Sequence, residues 1–226
     1  KEADNIVERI SNRANLAKLT TLFIIPLFVC VYMSSLQIER LSTQNQQLNK
    51  LEKHTVLATK LSALLHELQK ERGYTSVYLT SYDQKFLDKL KQQYIFTNQA
   101  KMNFFEQTNE NKQRLTNTVI SQKIKAFEKQ LSELSSFRSK VKFNVTDNLI
   151  AVDFYSSINK ELLKIIANVV KLTVNTELTQ TFFAYISLLK AKEITGIERA
   201  TLGIVFSKST LTKNELQKQI ELATAQ

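Results

Sequence analysis

The chain has 226 residues and a formal charge of +10, with only three glycines, one proline and one cysteine. Long runs of Leu, Lys, Gln, Glu and Ala with so few breakers exclude a turn-rich β fold and favour long helices, in one sizeable domain or two small stacked bundles. A lone cysteine excludes an internal disulfide framework, and scattered lysines without a basic block or an aromatic–basic signature point away from nucleic acid and toward a membrane surface or small anions.

The first element is "LTTLFIIPLFVCVYMSSL", residues 19–36, which carries no charge. As a helix it spans about 27 Å, near the thickness of a bilayer's hydrocarbon core, and Pro26 is a kink that membrane helices tolerate. Arg9, Arg13 and Lys18 precede it, so the positive-inside rule assigns residues 1–18 to the cytoplasm, 19–36 to a transmembrane helix and 37–226 to the far side. A cleaved signal peptide is the competing reading. Glu2, Asp4 and Glu8 make a poor basic leader and no Ala-x-Ala site follows, which favours an uncleaved anchor. A chain that starts at Lys1 reads as a fragment or a processed form. Cys30, inside the apolar run, reads as a small hydrophobe.

Residues 37–81 continue as one long helix, since no breaker separates them from the anchor. Leu51, His54, Ala58, Leu61, Leu65, Leu68, Arg72, Thr75 and Leu79 alternate steps of three and four, the seam of a helix packed against other helices. Arg72 puts a permanent charge on that seam. A guanidinium cannot shed its proton to escape burial, so it needs an anionic partner, either a carboxylate of the protein or a ligand.

Asp83 in "SYDQKF" caps a second helix that runs to about residue 109, and "QTNENKQRLTNT" marks a turn. A third helix reaches about Lys142 and carries Ile120, Ile124, Phe127, Leu131, Leu134 and Phe137 on its apolar face. "NVTDN" is a boundary with Thr146 or Asp147 as cap, and a fourth helix covers about 148–173. "TVNTELTQ" leads into a fifth helix ending near Phe206. "SKSTLTKNEL" is a further turn and cap, after which a last helix has only begun. Short connections between such segments describe an antiparallel all-α bundle. His54 and His66 belong to no zinc pattern, so no metal is implied. No nucleophile elbow, phosphate loop or paired carboxylate argues for an enzyme.

The arginine segment has an echo. "ERGYTSVYLTS" starts at Glu71 and "ERATLGIVFSK" at Glu198. Gly196 lies three residues before Arg199 and Gly203 four after it, on one face, and Arg72 has Gly73, Thr75 and Ser76 close by. Glycine inside a helix costs about 1 kcal/mol relative to alanine, which suggests that it is kept for room.

"LQKERGYTSVYL" and "LLKAKEITGIERATLGIVF" resemble the two signature segments of the nitrate- and nitrite-sensing (NIT) domain family. The resemblance spans roughly residues 50–215 and is specific at the two arginine segments. It implies a fold of two stacked four-helix bundles sharing long helices, here without the last helix. It further implies the sensor portion of a bacterial signalling receptor such as a chemoreceptor, histidine kinase or cyclase, in the inner membrane with its sensor in the periplasm, although some members are one-component antiterminators. It carries nitrate or nitrite binding over to Arg72 and Arg199, with Gly73, Thr75, Ser76, Gly196 and Gly203 in support and no cofactor. Related sensors imply a parallel homodimer with the first helix near the two-fold axis.

Chemistry agrees with that transfer: nitrate is a planar anion, and arginine offers a planar fork of donors that lysine lacks. Thr75, Thr195 and Thr201 are candidate hydroxyl donors. On this reading two like-charged guanidiniums face one anion, and removing either is expected to spare the fold because it orphans no counter-ion. The alternatives are a structural ion pair between Arg72 and Glu193 or Glu198, a sensor of another small anion, and an anchored helical scaffold without a small ligand.

Overall fold

The computed structural model of the chain describes residues 2–110, 119–171 and 176–207, with Gln217, Ile220, Glu221 and Thr224 beyond them. Every element among the described residues is an α-helix: α1 (Glu2–Ser81), α2 (Gln84–Glu110), α3 (Val119–Ser132), α4 (Leu134–Lys142), α5 (Asn148–Lys171) and α6 (Thr176–Ser207). The last eight residues of the predicted turn after α2 (111–118), residues 172–175 and most of the final turn and last helix lie outside the described residues. The chain divides into two units, Lys1–Lys50 and Leu51–Gln226.

The first unit is the N-terminal part of α1, which continues through Pro26 without a break. Its apolar run has a mean hydropathy of 1.9 over the best 18-residue window, none of it buried, so by length and composition it is able to cross a membrane. Leu22, Phe23, Leu27 and Phe28 are all more than 60 % exposed.

The second unit holds the core. From Ala58 to Leu79 the α1 seam is buried throughout, and Leu57, Leu64 and Tyr78 widen it into a broad face. Leu51 and His54, at its start, are half-buried. The chain turns between α1 and α2 at Tyr82, in the left-handed region (φ 51°). Asp83 caps α2 as its type suggests, Oδ1 accepting the Lys85 N–H at 2.8 Å. Asn144 takes the same backbone region after α4 (φ 55°). There Val145 N–H reaches back to the Lys140 carbonyl at 2.9 Å in a Schellman-type closure. Of the two candidate caps in "NVTDN", Asp147 serves, accepting the Ile150 N–H at 2.8 Å.

The predicted third helix is two. Its apolar face is buried from Ile120 to Phe137 and on to Val141, but Glu133 interrupts the helix between α3 and α4. Glu133 keeps a right-handed backbone (φ −73°, ψ −15°), so the buried face runs on across the break. Helix α5 packs on both α3 and α6. It buries Val152, Tyr155, Ile158, Asn159, Leu162, Ile166 and Val169, which makes it the central helix of the core.

Candidate functional site

Three helices each bring a pair of residues one turn apart to the same buried place: Gln69 and Arg72 from α1, Ser156 and Asn159 from α5, and Glu193 and Gly196 from α6. The (i, i+3) spacing puts both members of each pair on one face. Arg72 is 2 % exposed and Glu193 5 %. Nη1 of Arg72 donates to Glu193 Oε1 at 2.5 Å and to Ser156 Oγ at 2.9 Å, while Nη2 lies at 3.4 Å from Oε2. The Ser156 hydroxyl donates in turn to the Val152 carbonyl at 2.6 Å, which aims its lone pairs at Arg72.

Glu193 draws further donors. Gln69 Nε2 donates to Oε2 at 2.7 Å, and Asn159 Nδ2 lies 3.3 Å from Oε1 and 3.2 Å from Oε2. Both amides turn their NH₂ groups inward, and their oxygens, Gln69 Oε1 and Asn159 Oδ1, are buried without a hydrogen-bond partner. A planar oxyanion is therefore cradled by a guanidinium and two amides. Gly196 flanks the cradle, and a Cβ there would stand 2.6 Å from Arg72 Nη2.

Glu71, next to Arg72 in sequence, is fully buried and pairs in another direction. Its two oxygens accept from Arg138 Nε at 2.8 Å and Nη2 at 2.7 Å, and Oε1 also accepts from Tyr155 OH at 2.7 Å. Arg138 donates to Asn98 Oδ1 at 2.7 Å and lies over the Tyr94 ring, 4.4 Å from its centroid. Burial tends to lower the Arg138 guanidinium's proton affinity, but the hydrogen bonds and charge of Glu71 override it and raise it. Burial first, and the Glu71 charge next, push the Tyr155 phenol well above its ordinary value. The neighbouring residues Glu71 and Arg72 thus tie α1 to α4 and to α6 through two ion pairs of opposite polarity.

The residues singled out in the sequence are distributed as follows. Arg72 and Gly196 meet at the cradle. Thr75 is buried and donates to Tyr155 OH at 3.5 Å. Ser76 is buried, and its carbonyl accepts from Asn148 Nδ2 at 2.9 Å. A Cβ on Gly73 or on Gly203 would have no neighbour within 4 Å. Arg199 lies one turn beyond Gly196 on α6 and is exposed, as are Thr195 and Gly203. Thr201 is buried and donates to its own helix, at the Ile197 carbonyl, 2.7 Å away. Of the two glutamates weighed as partners for Arg72, Glu193 is the one that pairs with it.

Sequence reasoning missed Gln69, Ser156, Asn159, Arg138 and Tyr155. Asn159 carried a signal: it interrupts the apolar series Val152, Tyr155, Leu162, Ile166 on α5, as Arg72 interrupts the seam of α1. Gln69 stands one turn before Arg72 within the same quoted segment.

Against known proteins, the nitrate regulatory protein of Klebsiella oxytoca is 24 % identical over 177 residues, covering 78 % of this chain and 44 % of that protein. The solved structure of the NasR transcription antiterminator superposes with a TM-score of 0.74 at 23 % identity, covering 80 % of this chain and 49 % of the other, a likeness of fold. The chain thus spans less than half the length of either relative. Residues 63–226 match the family described as nitrate and nitrite sensing, and the chain belongs to that NIT family.

Proposed function

We propose that the chain is the ligand-binding part of a membrane-anchored bacterial sensor that recognises nitrate or nitrite through Arg72 and Arg199. The observation that carries the reading is a buried guanidinium already holding a planar oxyanion, seated where the missing Cβ of Gly196 makes room for Nη2. An environment that accepts one flat, delocalised anion has the donor geometry for another. Nitrate at Arg72 draws α1 and α6 into a new relation, and the exposed Arg199, one turn from Gly196, adds a second fork to the entering anion.

On this reading residues 1–18 are cytoplasmic, 19–36 cross the inner membrane and 37–226 form the periplasmic sensor. The uninterrupted helix α1 carries both Arg72 and the apolar run, so a small shift at the site reaches the membrane segment as a piston or rotation. The reading includes a parallel homodimer, which Ile38, Leu41 and Leu48, exposed on α1 at coiled-coil spacing, support. The output is a chemotaxis or other signalling protein.

The test is isothermal titration of the purified chain with nitrate, nitrite, formate and chloride. Saturable heat with nitrate or nitrite in preference to chloride supports the reading. An equal response to all four contradicts it and points to a site for small anions in general, while no response contradicts it and favours the scaffold alternative. Arg199→Ala should weaken nitrate binding at least about fivefold, because one charge-assisted donor set is lost.

A further inference from the structure

We infer that the donors gathered around Glu193 form the chain's planar-oxyanion site, that Gln69 and Asn159 bind the anion beside Arg72, and that the Glu193 carboxylate is the site's built-in competitor. The inference rests on the nitrate reading above and adds to it two ligand residues and a regulating one.

The case begins with the two amides. Gln69 and Asn159 both aim their NH₂ groups at the carboxylate, and both leave their own oxygens buried and unpartnered. A buried acceptor without a partner costs free energy, so the arrangement is one that concentrates donors on a single point at the expense of local satisfaction. At that point sits a flat group with a delocalised negative charge. Carboxylate and nitrate share that shape and charge, and nitrate brings a third oxygen. The grip on Glu193 is uneven: Nη1 holds Oε1 at 2.5 Å, but Nη2, packed against Gly196, stands at 3.4 Å from Oε2. A third oxygen fits the donor that Glu193 uses least.

The donors come from α1 and α5, while the competitor is carried by α6. Exchange of the carboxylate for a diffusible anion therefore replaces a direct bond between helices with a bond to ligand, and passes the attachment of α6 at this level from Glu193 to Arg199. The apparent affinity is the intrinsic affinity multiplied by the fraction of time Glu193 is out of the cradle. Glu193 thereby sets the concentration at which the sensor responds. Arg72, by contrast, serves both anions.

Neutralising the competitor must therefore strengthen binding, which a purely structural ion pair does not predict. The full chain, Glu193→Gln and Glu193→Asp are titrated calorimetrically with sodium nitrate, and each is melted with and without nitrate. Glu193→Gln is expected to bind about tenfold or more tightly than the parent. Its melting point, lowered by the uncompensated Arg72, should rise more with nitrate than the parent's. Glu193→Asp keeps the charge but shortens the reach, so it folds with its ion pair weakened and should fall between the two. Adding Asn159→Leu to Glu193→Gln should reverse most of the gain, since no carboxylate remains to suffer the same loss of donor. Nitrate binding by the parent with unchanged or weaker binding in both Glu193 variants overturns the inference and leaves the nitrate reading standing. A gain that survives Asn159→Leu undiminished also overturns it. No binding by any of these proteins overturns both.

Discussion

Gly73 and Gly196 both sit inside helices in the two arginine segments, and adding a methyl group to each has opposite expected outcomes. A Cβ on Gly73 meets nothing within 4 Å. Gly73→Ala should therefore raise stability by about 0.5–1 kcal/mol, the helix-propensity difference, as read from chemical denaturation. A Cβ on Gly196 meets Nη2 of Arg72 at 2.6 Å. That nitrogen belongs to a guanidinium anchored by Glu193 and Ser156, so it cannot swing away without loosening the ion pair. Gly196→Ala should lower stability by about 1–2 kcal/mol despite the better helix former, and weaken anion binding with it. Equal gains in the two variants would show that the guanidinium yields freely. The same geometry corrects the expectation that either arginine can be removed without an orphan: Arg72 faces a carboxylate that is 5 % exposed, so Arg72→Ala leaves Glu193 buried and unpaired, at a cost of about 3–5 kcal/mol. The seam announced that Arg72 needs a partner and Glu193 was a candidate. Ser156 and Asn159 stayed hidden because spacing along one helix does not say which other helix faces it.

At the scale of elements, α1 is bound to its neighbours through Glu71 as well as Arg72. Arg138 and Tyr155 join α1 to α4 and α5 at the fully buried Glu71 carboxylate. Arg138→Met should cost about 3–5 kcal/mol by thermal or chemical denaturation, because it strands that charge. A loss below about 1 kcal/mol would mean that water reaches Glu71. The raised Tyr155 phenol gives a pH dependence. The folded chain holds this proton more tightly than the unfolded chain, whose phenol titrates near 10, so the contribution is fully present below that value and is lost as pH rises above it. Stability should decline above about pH 10, less steeply in Tyr155→Phe. The caps at Asp83 and Asp147 were legible because an Asx side chain before a periodic run has one local use. The break at Glu133 was not, since the apolar spacing passes through it unchanged and no glycine or proline marks it.

For the whole molecule, the all-α class was readable from the scarcity of breakers, and the apolar run from its lack of charge. Continuity of α1 from Glu2 to Ser81 was readable for the same reason, Pro26 notwithstanding. The meeting of Gln69, Asn159 and Glu193 was not, because it depends on how three helices rotate against one another, and Leu-rich faces are compatible with several rotations. What the assembled core supplies is a buried charged cradle between three helices, where the planar Glu193 carboxylate meets fixed donors. The central claim is that this cradle binds nitrate through the fork of Arg72. Arg72→Lys tests it most directly, because it preserves the charge opposite Glu193 while removing the planar pair of donors. Calorimetric titration with nitrate should show a folded Arg72→Lys protein whose affinity is lower by about tenfold or more. A folded variant that binds nitrate as tightly as the parent would contradict the account.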